Sequence, residues 1–228
     1  MSIDIKAYQR EQAKITRQQL VDIAINPQNY KHIKLRAEIT ASYLYNVCAP
    51  KPKILEVGCR AGHVLLQLAP MLEKGMGEKA KGFFDSDLFY GVDICEDAVW
   101  LAQQAGIHAF VCDMHDLCFD DASFDVVISN ETLEHAYDPE RVIAEMARIL
   151  KINGHLVLDV PCQRKEHYAI KENDAGHLQF FPEPFDFYMK FNKDFVARDK
   201  YFLPGIWKKF PLLVVRAYGG LWMKKGKG

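Results

Sequence analysis

The chain has 228 residues, of which 49% are hydrophobic and 26% charged, and its formal net charge at pH 7 is −1. This composition excludes intrinsic disorder, because disordered chains are poor in apolar residues and carry a high net charge. No uncharged apolar run reaches about 18 residues, so no membrane-spanning helix is predicted. The length fits one α/β domain over residues 1–228 better than two domains.

The ends of the chain give expectations about location and partners. The amino-terminal segment contains Asp4 and lacks the apolar stretch of a secretory signal peptide, so we expect a cytoplasmic protein with its six cysteines reduced. Residues 190–228 carry a net charge of +8, whereas residues 1–189 carry −9. This basic tail, with tryptophans among its lysines, suits peripheral contact with the inner membrane face. The alternative is a sheet-edge hairpin that lysines protect from aggregation. No nucleic-acid partner is expected, because the rest of the chain is acidic and carries no recognition motif.

Two amphipathic helices, at 4–25 and 31–47, precede the first strand and are expected to cover the mouth of a site. Strands then alternate with helices, which predicts a doubly wound, Rossmann-like, mostly parallel sheet of about seven strands. The predicted strands are 53–57, 89–93, 108–112, 124–129, 155–160, 195–203 and 212–218, with helices at 64–69, 98–105 and 140–150.

The remaining segments have weaker patterns. Residues 71–88 lack clean periodicity and are predicted to be a loop-like insertion, and residues 184–191 are predicted to be a short helix. We divide the predicted domain into an amino-terminal helical cap (1–49), a cofactor-binding core (50–160), and an acceptor-side segment with the terminal strands (161–228).

The stretch at 54–63 reads as a buried strand, an acid, a glycine-bearing turn and the start of a helix, which is the beginning of a βαβ unit. Glu56, Asp93 and Asp113 lie near the ends of three successive strands, and parallel strand ends line one crevice. Asp93 is positioned to accept both hydroxyls of a ribose. Asp113 with the backbone of Met114 suits an adenine amino group, and Glu56 is expected to orient the turn.

Several other sites are excluded. A dinucleotide fingerprint that starts at Gly58 requires glycine where Arg60 and His63 stand, and the lysine of a phosphate-binding P-loop is missing. The spacing of Cys112, His115 and Cys118 has no second ligand pair beside it, so no metal is expected.

Together these motifs resemble the class I S-adenosylmethionine-dependent methyltransferases, in particular the type 11 group. The resemblance extends from residue 53 to about residue 160, nearly half of the chain. It rests on the glycine turn at 54–62, on Tyr-Gly-Val-Asp-Ile at 90–94, on Asp-Met at 113–114, on 117–119 and 123–125, on Ser-Asn-Glu-Thr-Leu-Glu-His at 129–135, and on the helix at 142–150 with Asn-Gly at 153–154.

The resemblance implies S-adenosylmethionine as the cofactor. The implied binding residues are Glu56, Gly58, Cys59, Arg60, Gly62, Asp93, Ile94, Asp113, Met114, Asn130 and Glu131. Arg60 departs from the family, whose glycine turn usually carries glycine there, so a side chain has to leave the turn toward the cofactor or toward a neighbouring charge. Cys118 replaces the proline that is commoner at its position.

Methyl transfer to a hydroxyl group also needs a base, for which His135 and His177 are the candidates. The sequence thus predicts a methyltransferase acting on an oxygen of a small molecule, a saccharide or a lipid-linked acceptor, and leaves the oligomeric state open. The alternatives are a non-catalytic S-adenosylmethionine-binding or scaffold protein and a nicotinamide-dependent oxidoreductase, the latter disfavoured by the missing glycines.

Overall fold

Seven strands form one sheet in the order β3-β2-β1-β4-β5-β7-β6. The computed structural model describes residues 4–25, 27–47, 51–77, 88–161, 177–179, 181, 195–206 and 213–226. Strands β1 to β5 are parallel to one another, whereas β7 is antiparallel to both β5 and β6. The predicted doubly wound, mostly parallel sheet with an amino-terminal helical cap is confirmed.

The strands are β1 (Ile54–Val57), β2 (Phe89–Asp93), β3 (His108–Val111), β4 (Phe124–Asn130), β5 (Leu150–Pro161), β6 (Phe195–Ile206) and β7 (Leu213–Lys224). The helices are α1 (Ile5–Ile25), α2 (Pro27–Val47), α3 (His63–Met76), α4 (Glu96–Gln104) and α5 (Pro139–Ile149), and Leu133–His135 forms a short 3-10 helix. Among the described residues, none of the helices is both long and apolar enough to cross a membrane.

Strand β1 is buried along its whole length, because its side chains alternate between the hydrophobic clusters on the two faces of the sheet. Leu55 and Val57 belong to the cluster that includes residues of α5, whereas Ile54 belongs to the cluster that includes residues of α2 and α3. Full burial of an aliphatic side chain of this size contributes about 1.5–3 kcal/mol. Because both faces of β1 are covered, its position in the sheet is fixed, and so is the position of the turn that follows it.

Helices α1 and α2, which precede β1 in the chain, pack against the rest of the domain. On α2, buried residues recur at helical spacing, at Ile33, Ala37, Ala41 and Leu44, and this stripe packs against α3. Helix α1 contacts α2 and α4, and its Arg17 pairs with Asp97 of α4. The two helices therefore reach the carboxyl edge of the sheet, as the sequence predicts.

Several predicted boundaries are wrong. Strand β5 begins at residue 150 and not at 155, and β7 ends at residue 224 and not at 218. Residues 71–76 belong to α3 and not to a loop, because the helix continues past Pro70 and buries Leu72 completely. Helix α2 begins at Pro27, four residues earlier than predicted, with proline in the favoured first turn. The predicted helix at 184–191 lies outside the described residues.

The basic tail contributes β7, which lies inside the sheet with β5 on one side and β6 on the other. Trp222 is only 1% exposed and packs in the core cluster, and the Lys224 ammonium group donates to the carbonyl of Leu150 at 2.5 Å. The described part of the tail thus takes the hairpin alternative, with Trp222 in the core and not available to a membrane surface.

Replacing Trp222 with alanine should lower the free energy of unfolding by about 3–5 kcal/mol, because it removes a large buried side chain and leaves a cavity. Trp100→Ala is the matched control, since Trp100 is 58% exposed on α4 and should cost little. Urea denaturation of both variants measures the difference. Equal, small losses would show that β7 does not pack as described.

Candidate functional site

The site lies at the carboxyl edge of the sheet, where β1 has β2 on one side and β4 on the other. In a doubly wound sheet this is the point where the strand order reverses, and it leaves a crevice beyond the strand ends. Two adjoining clefts occupy the crevice. The larger spans about 590 Å³ and the smaller about 400 Å³, with the open solvent at their mouths included, and Gly58, Arg60 and Glu131 line both.

The turn after β1 is held by backbone hydrogen bonds to β2. The amides of Gly58 and Cys59 both donate to the carbonyl of Val92 at 2.9 Å. Gly58 has a φ of +74°, and a Cβ there would lie 2.4 Å from the Thr132 hydroxyl oxygen. Glycine is needed at this point because the turn must pass close to the segment after β4. Gly62, with a φ of +73°, precedes α3 and lines neither cleft.

Asp93 ties the turn to the end of β2. Its carboxylate accepts hydrogen bonds from the amides of Arg60 and Cys95, both at 2.9 Å. Burial raises the pKa of Asp93, against the lowering effect of these two bonds. Each carboxylate oxygen can accept a second bond, and Asp93 lines the larger cleft together with Ile94.

Asp113 also lines the larger cleft, beside Met114, and its carboxylate is held from two directions. One oxygen accepts from the amide of His115 and lies 2.6 Å from the His115 Nδ1, and the other accepts from the Gln9 side chain of α1 at 3.0 Å. Burial would raise the pKa of Asp113, but the hydrogen bonds from His115 and Gln9 lower it to about 2. His115 therefore binds the Asp113 carboxylate through its ring, which argues against His115 as a metal ligand together with Cys112.

Glu56 is buried at the end of β1, where the backbone amide of Leu65 on α3 hydrogen-bonds its carboxyl group. Its second oxygen has no hydrogen-bond partner among the described residues. Burial raises the pKa of Glu56 to about 8, in spite of the positive charge of Arg60 nearby. Arg60 is partly buried, has a φ of +51° and lines both clefts. Its positive charge lowers the pKa values of the buried carboxyl groups nearby, those of Glu56, Asp93 and Glu134, against the larger effect of burial.

Sequence reasoning missed an ion-pair network behind β4. Arg36 of α2, which is 9% exposed, lies 2.5 Å from Glu131 and 3.2 Å from the fully buried Asp159 of β5. The Glu131 amide also donates to Asp159 at 3.1 Å. A charge inside the apolar run of β5 and an arginine within the buried stripe of α2 are the signals that could have indicated this network.

Helix α1 supplies a second set of residues that the sequence did not single out. Tyr8, Gln12, Ile15 and Thr16 share one face at spacings of three and four, and all four line the larger cleft. The Tyr8 hydroxyl group donates to the carbonyl of His135 at 2.9 Å. The predicted cap is therefore also a wall of the site.

The two candidate bases come together although they are far apart in sequence. The rings of His135 and His177 meet edge to face with centroids 4.9 Å apart, and His135 lines the larger cleft. The His177 Nε2 lies 4.0 Å from the Glu134 carboxyl group, which is 1% exposed. Burial raises the pKa of Glu134 well above its usual value and lowers that of His177.

These clefts fit S-adenosylmethionine in chemistry. The buried amide of Asn130 and one oxygen of Glu56 have no hydrogen-bond partner among the described residues, and both residues line the smaller cleft. Buried polar atoms without partners mark positions where a polar ligand completes the bonding.

The strand order, the glycine turn and the acids that follow it define the class I methyltransferase fold. Residues 55–158, nearly half of the chain, match the family model described as a methyltransferase domain. The resemblance to S-adenosylmethionine-dependent methyltransferases is thus confirmed. The predicted cofactor, S-adenosylmethionine, is confirmed with it.

Three relatives illustrate the match. An uncharacterized protein of Methanocaldococcus jannaschii is 34% identical over 38% of this chain and 40% of its own length. The O-methyltransferase cnsE of Penicillium expansum is 32% identical over 48% and 40%. The uncharacterized methyltransferase YcgJ of Bacillus subtilis is 25% identical over 60% and 51%. The crystal structure of YcgJ superimposes with a TM-score of 0.62 at 16% identity, over 85% of this chain and 99% of YcgJ. The chain spans about half or less of these relatives in the sequence matches.

Replacing Glu56 with glutamine should change how stability depends on pH. The folded protein binds a proton at Glu56 with a pKa of about 8, against 4.5 as the ordinary value, so wild-type stability falls as the pH rises through this interval. We therefore compare the unfolding free energy of Glu56→Gln with that of the wild type. The difference, variant minus wild type, should rise by on the order of a few kcal/mol from pH 5 to pH 8. Urea denaturation at both pH values tests this, with the exposed Glu96→Gln as control. A pH-independent difference would mean that the carboxyl group is not buried as described.

Proposed function

We propose that this protein transfers a methyl group from S-adenosylmethionine to an oxygen of a small molecule, a saccharide or a lipid-linked acceptor. The observation that carries the proposal is that Gly58 and Asp93 line the same cleft as the candidate base His135. S-adenosylmethionine supplies a methyl group on a positively charged sulfur, so the protein needs chiefly to hold donor and acceptor in line.

On the donor side, Asp93 would accept the ribose hydroxyls with the lone pairs that the Arg60 and Cys95 amides leave free. Asp113, fixed in its ionised form, and Met114 would hold the adenine. The Gly58 turn gives the ligand access to backbone that a side chain would otherwise cover.

The methionine end of the donor would lie toward the smaller cleft. Arg60 there suits its carboxylate, and the unpartnered oxygen of Glu56 and amide of Asn130 suit its ammonium group. The proposed orientation therefore gives the departure of Arg60 from the family pattern a binding role.

On the acceptor side, His135 and His177 are the groups that would take the proton of an acceptor hydroxyl. Burial lowers the pKa of His177, so this imidazole is neutral at pH 7 and has a lone pair to offer. Helix α1 covers this end of the cleft through Tyr8 and Gln12, which would restrict access of water. The relative named as an O-methyltransferase is consistent with transfer to oxygen.

Replacing Asp93 with alanine should weaken binding of S-adenosylmethionine by about 1–3 kcal/mol, a factor of about 5 to 150 in the dissociation constant, by deleting a charged acceptor. Asp93→Asn, which keeps the shape, separates this loss from a loss of folding. Asp121→Ala is the control, since Asp121 is 79% exposed on the turn before β4. Calorimetry measures all three, and an unchanged affinity in Asp93→Ala would remove this residue from the site.

Methyl transfer itself is tested with radiolabelled S-adenosylmethionine and cell extracts separated into lipid, glycan and small-molecule pools. We expect the label in one pool, on a product whose methyl carbon is bonded to oxygen, and less label with Asp93→Ala at a cofactor concentration below its dissociation constant. Tight cofactor binding without label in any pool would favour the non-catalytic binding protein. Label bonded to nitrogen or carbon would overturn the proposed acceptor.

A further inference from the structure

Three side chains with metal-ligating atoms converge beside the larger cleft. Glu134 and His135 lie on the 3-10 helix after β4, and His177 comes from a segment 42 positions further along the chain. One ligating atom from each of the three lies within 4.8 Å of those of the other two, and Glu134 and His177 are 4.0 Å apart. His135 lines the cleft, so the cluster opens toward the acceptor side.

The carboxyl group of Glu134 is the second indication of a ligand. Its side chain is 1% exposed, and its Oε2 has no hydrogen-bond partner among the described residues. A buried carboxylate is costly unless it is paired or coordinates a metal. The carboxyl group of Glu131, which pairs with Arg36, also lies close enough to act electrostatically on Glu134 and His177.

Backbone hydrogen bonds hold the segment that carries His177 against the 3-10 helix that carries Glu134 and His135. The carbonyl of Glu134 accepts hydrogen bonds from the amides of Leu178 and Gln179 at 2.8 and 2.9 Å. The Gln179 side chain donates to the carbonyl of Ala136 at 3.0 Å. The segment that carries His177 is therefore fixed against the 3-10 helix, which is the preorganisation that a metal site needs.

We propose that Glu134, His135 and His177 bind a divalent first-row transition-metal ion, whose open coordination positions take an oxygen of the methyl acceptor. Two imidazoles and one carboxylate form a donor set that suits zinc, manganese or cobalt ions and leaves positions free for a further ligand. Ligand bonds of about 2.0–2.2 Å place neighbouring ligand atoms about 3–3.5 Å apart, so a side-chain adjustment of roughly 1 Å closes the site.

The second half of the proposal, the acceptor oxygen, rests on the proposed function, whereas the metal site itself does not. With the ion bound, the two imidazoles would serve as metal ligands and not as bases. The metal would lower the pKa of a coordinated hydroxyl group, whose proton would then pass to solvent before the oxygen accepts the methyl group. The acceptor class becomes narrower, since it must present a hydroxyl or carboxylate oxygen that can coordinate the ion beside the methyl donor.

The test is a titration of the full chain with Co²⁺ after treatment with a chelator and dialysis, without cofactor or acceptor. We expect one tight site by calorimetry and a visible absorption band typical of nitrogen and oxygen ligands. His177→Ala and Glu134→Gln should each weaken binding roughly tenfold or more. His108→Ala is the matched control, because His108 is exposed at the start of β3, away from the carboxyl edge of the sheet.

Glu134→Gln keeps the shape of the side chain, so it remains informative if another variant fails to fold. Absence of a tight Co²⁺ site, or equal affinity in wild type and Glu134→Gln, would overturn the metal site. Co²⁺ binding without methyl transfer to any pool would support the metal site and count against the proposed function. Methyl transfer by chelator-treated protein that binds no Co²⁺ would support the proposed function and overturn the metal site.

Discussion

The described part of the chain buries more acidic side chains than basic ones at the carboxyl edge of its sheet. The carboxyl groups of Glu56, Asp93, Glu134 and Asp159 are all buried there, against one comparably buried guanidinium group, that of Arg36. Such burial is costly unless each charge finds a partner or a proton. Backbone amides, ion pairs and raised pKa values each meet part of this cost. The remaining imbalance favours ligands that bring positive charge.

The amino-terminal helices are part of the site as well as its cover. Arg36 on α2 neutralises Glu131 and Asp159 behind β4, and α1 hydrogen-bonds Asp113 and the carbonyl of His135 through Gln9 and Tyr8. Loss of these helices would expose a ligand site and also leave buried carboxylates without their cation. Stability and ligand binding therefore depend on the same contacts.

The sheet and the acids at its strand ends could be predicted because their signals are local. A buried strand, its terminal acid and the next turn lie within about ten residues, as in the stretch that carries Glu56 and Gly58. The pairing of Arg36 with Asp159 joins residues 123 positions apart, and no spacing rule connects them. The same holds for His135 and His177. The carboxyl groups on which Arg60 acts lie on several elements, so the sequence of the turn alone could not predict the surroundings of this side chain.

The position of β7 has a consequence for how the molecule is made. Strand β6 is synthesised before β7 but pairs only with β7 in the sheet, whose order is β5-β7-β6. Until β7 leaves the ribosome, β6 lacks the strand with which it pairs in the folded protein, and the outer edge of β5 stays unpaired. The parallel core can assemble during translation, whereas closure of this edge waits for the later strand. The nascent chain therefore passes through a stage in which an unpaired edge invites aggregation or the binding of a chaperone.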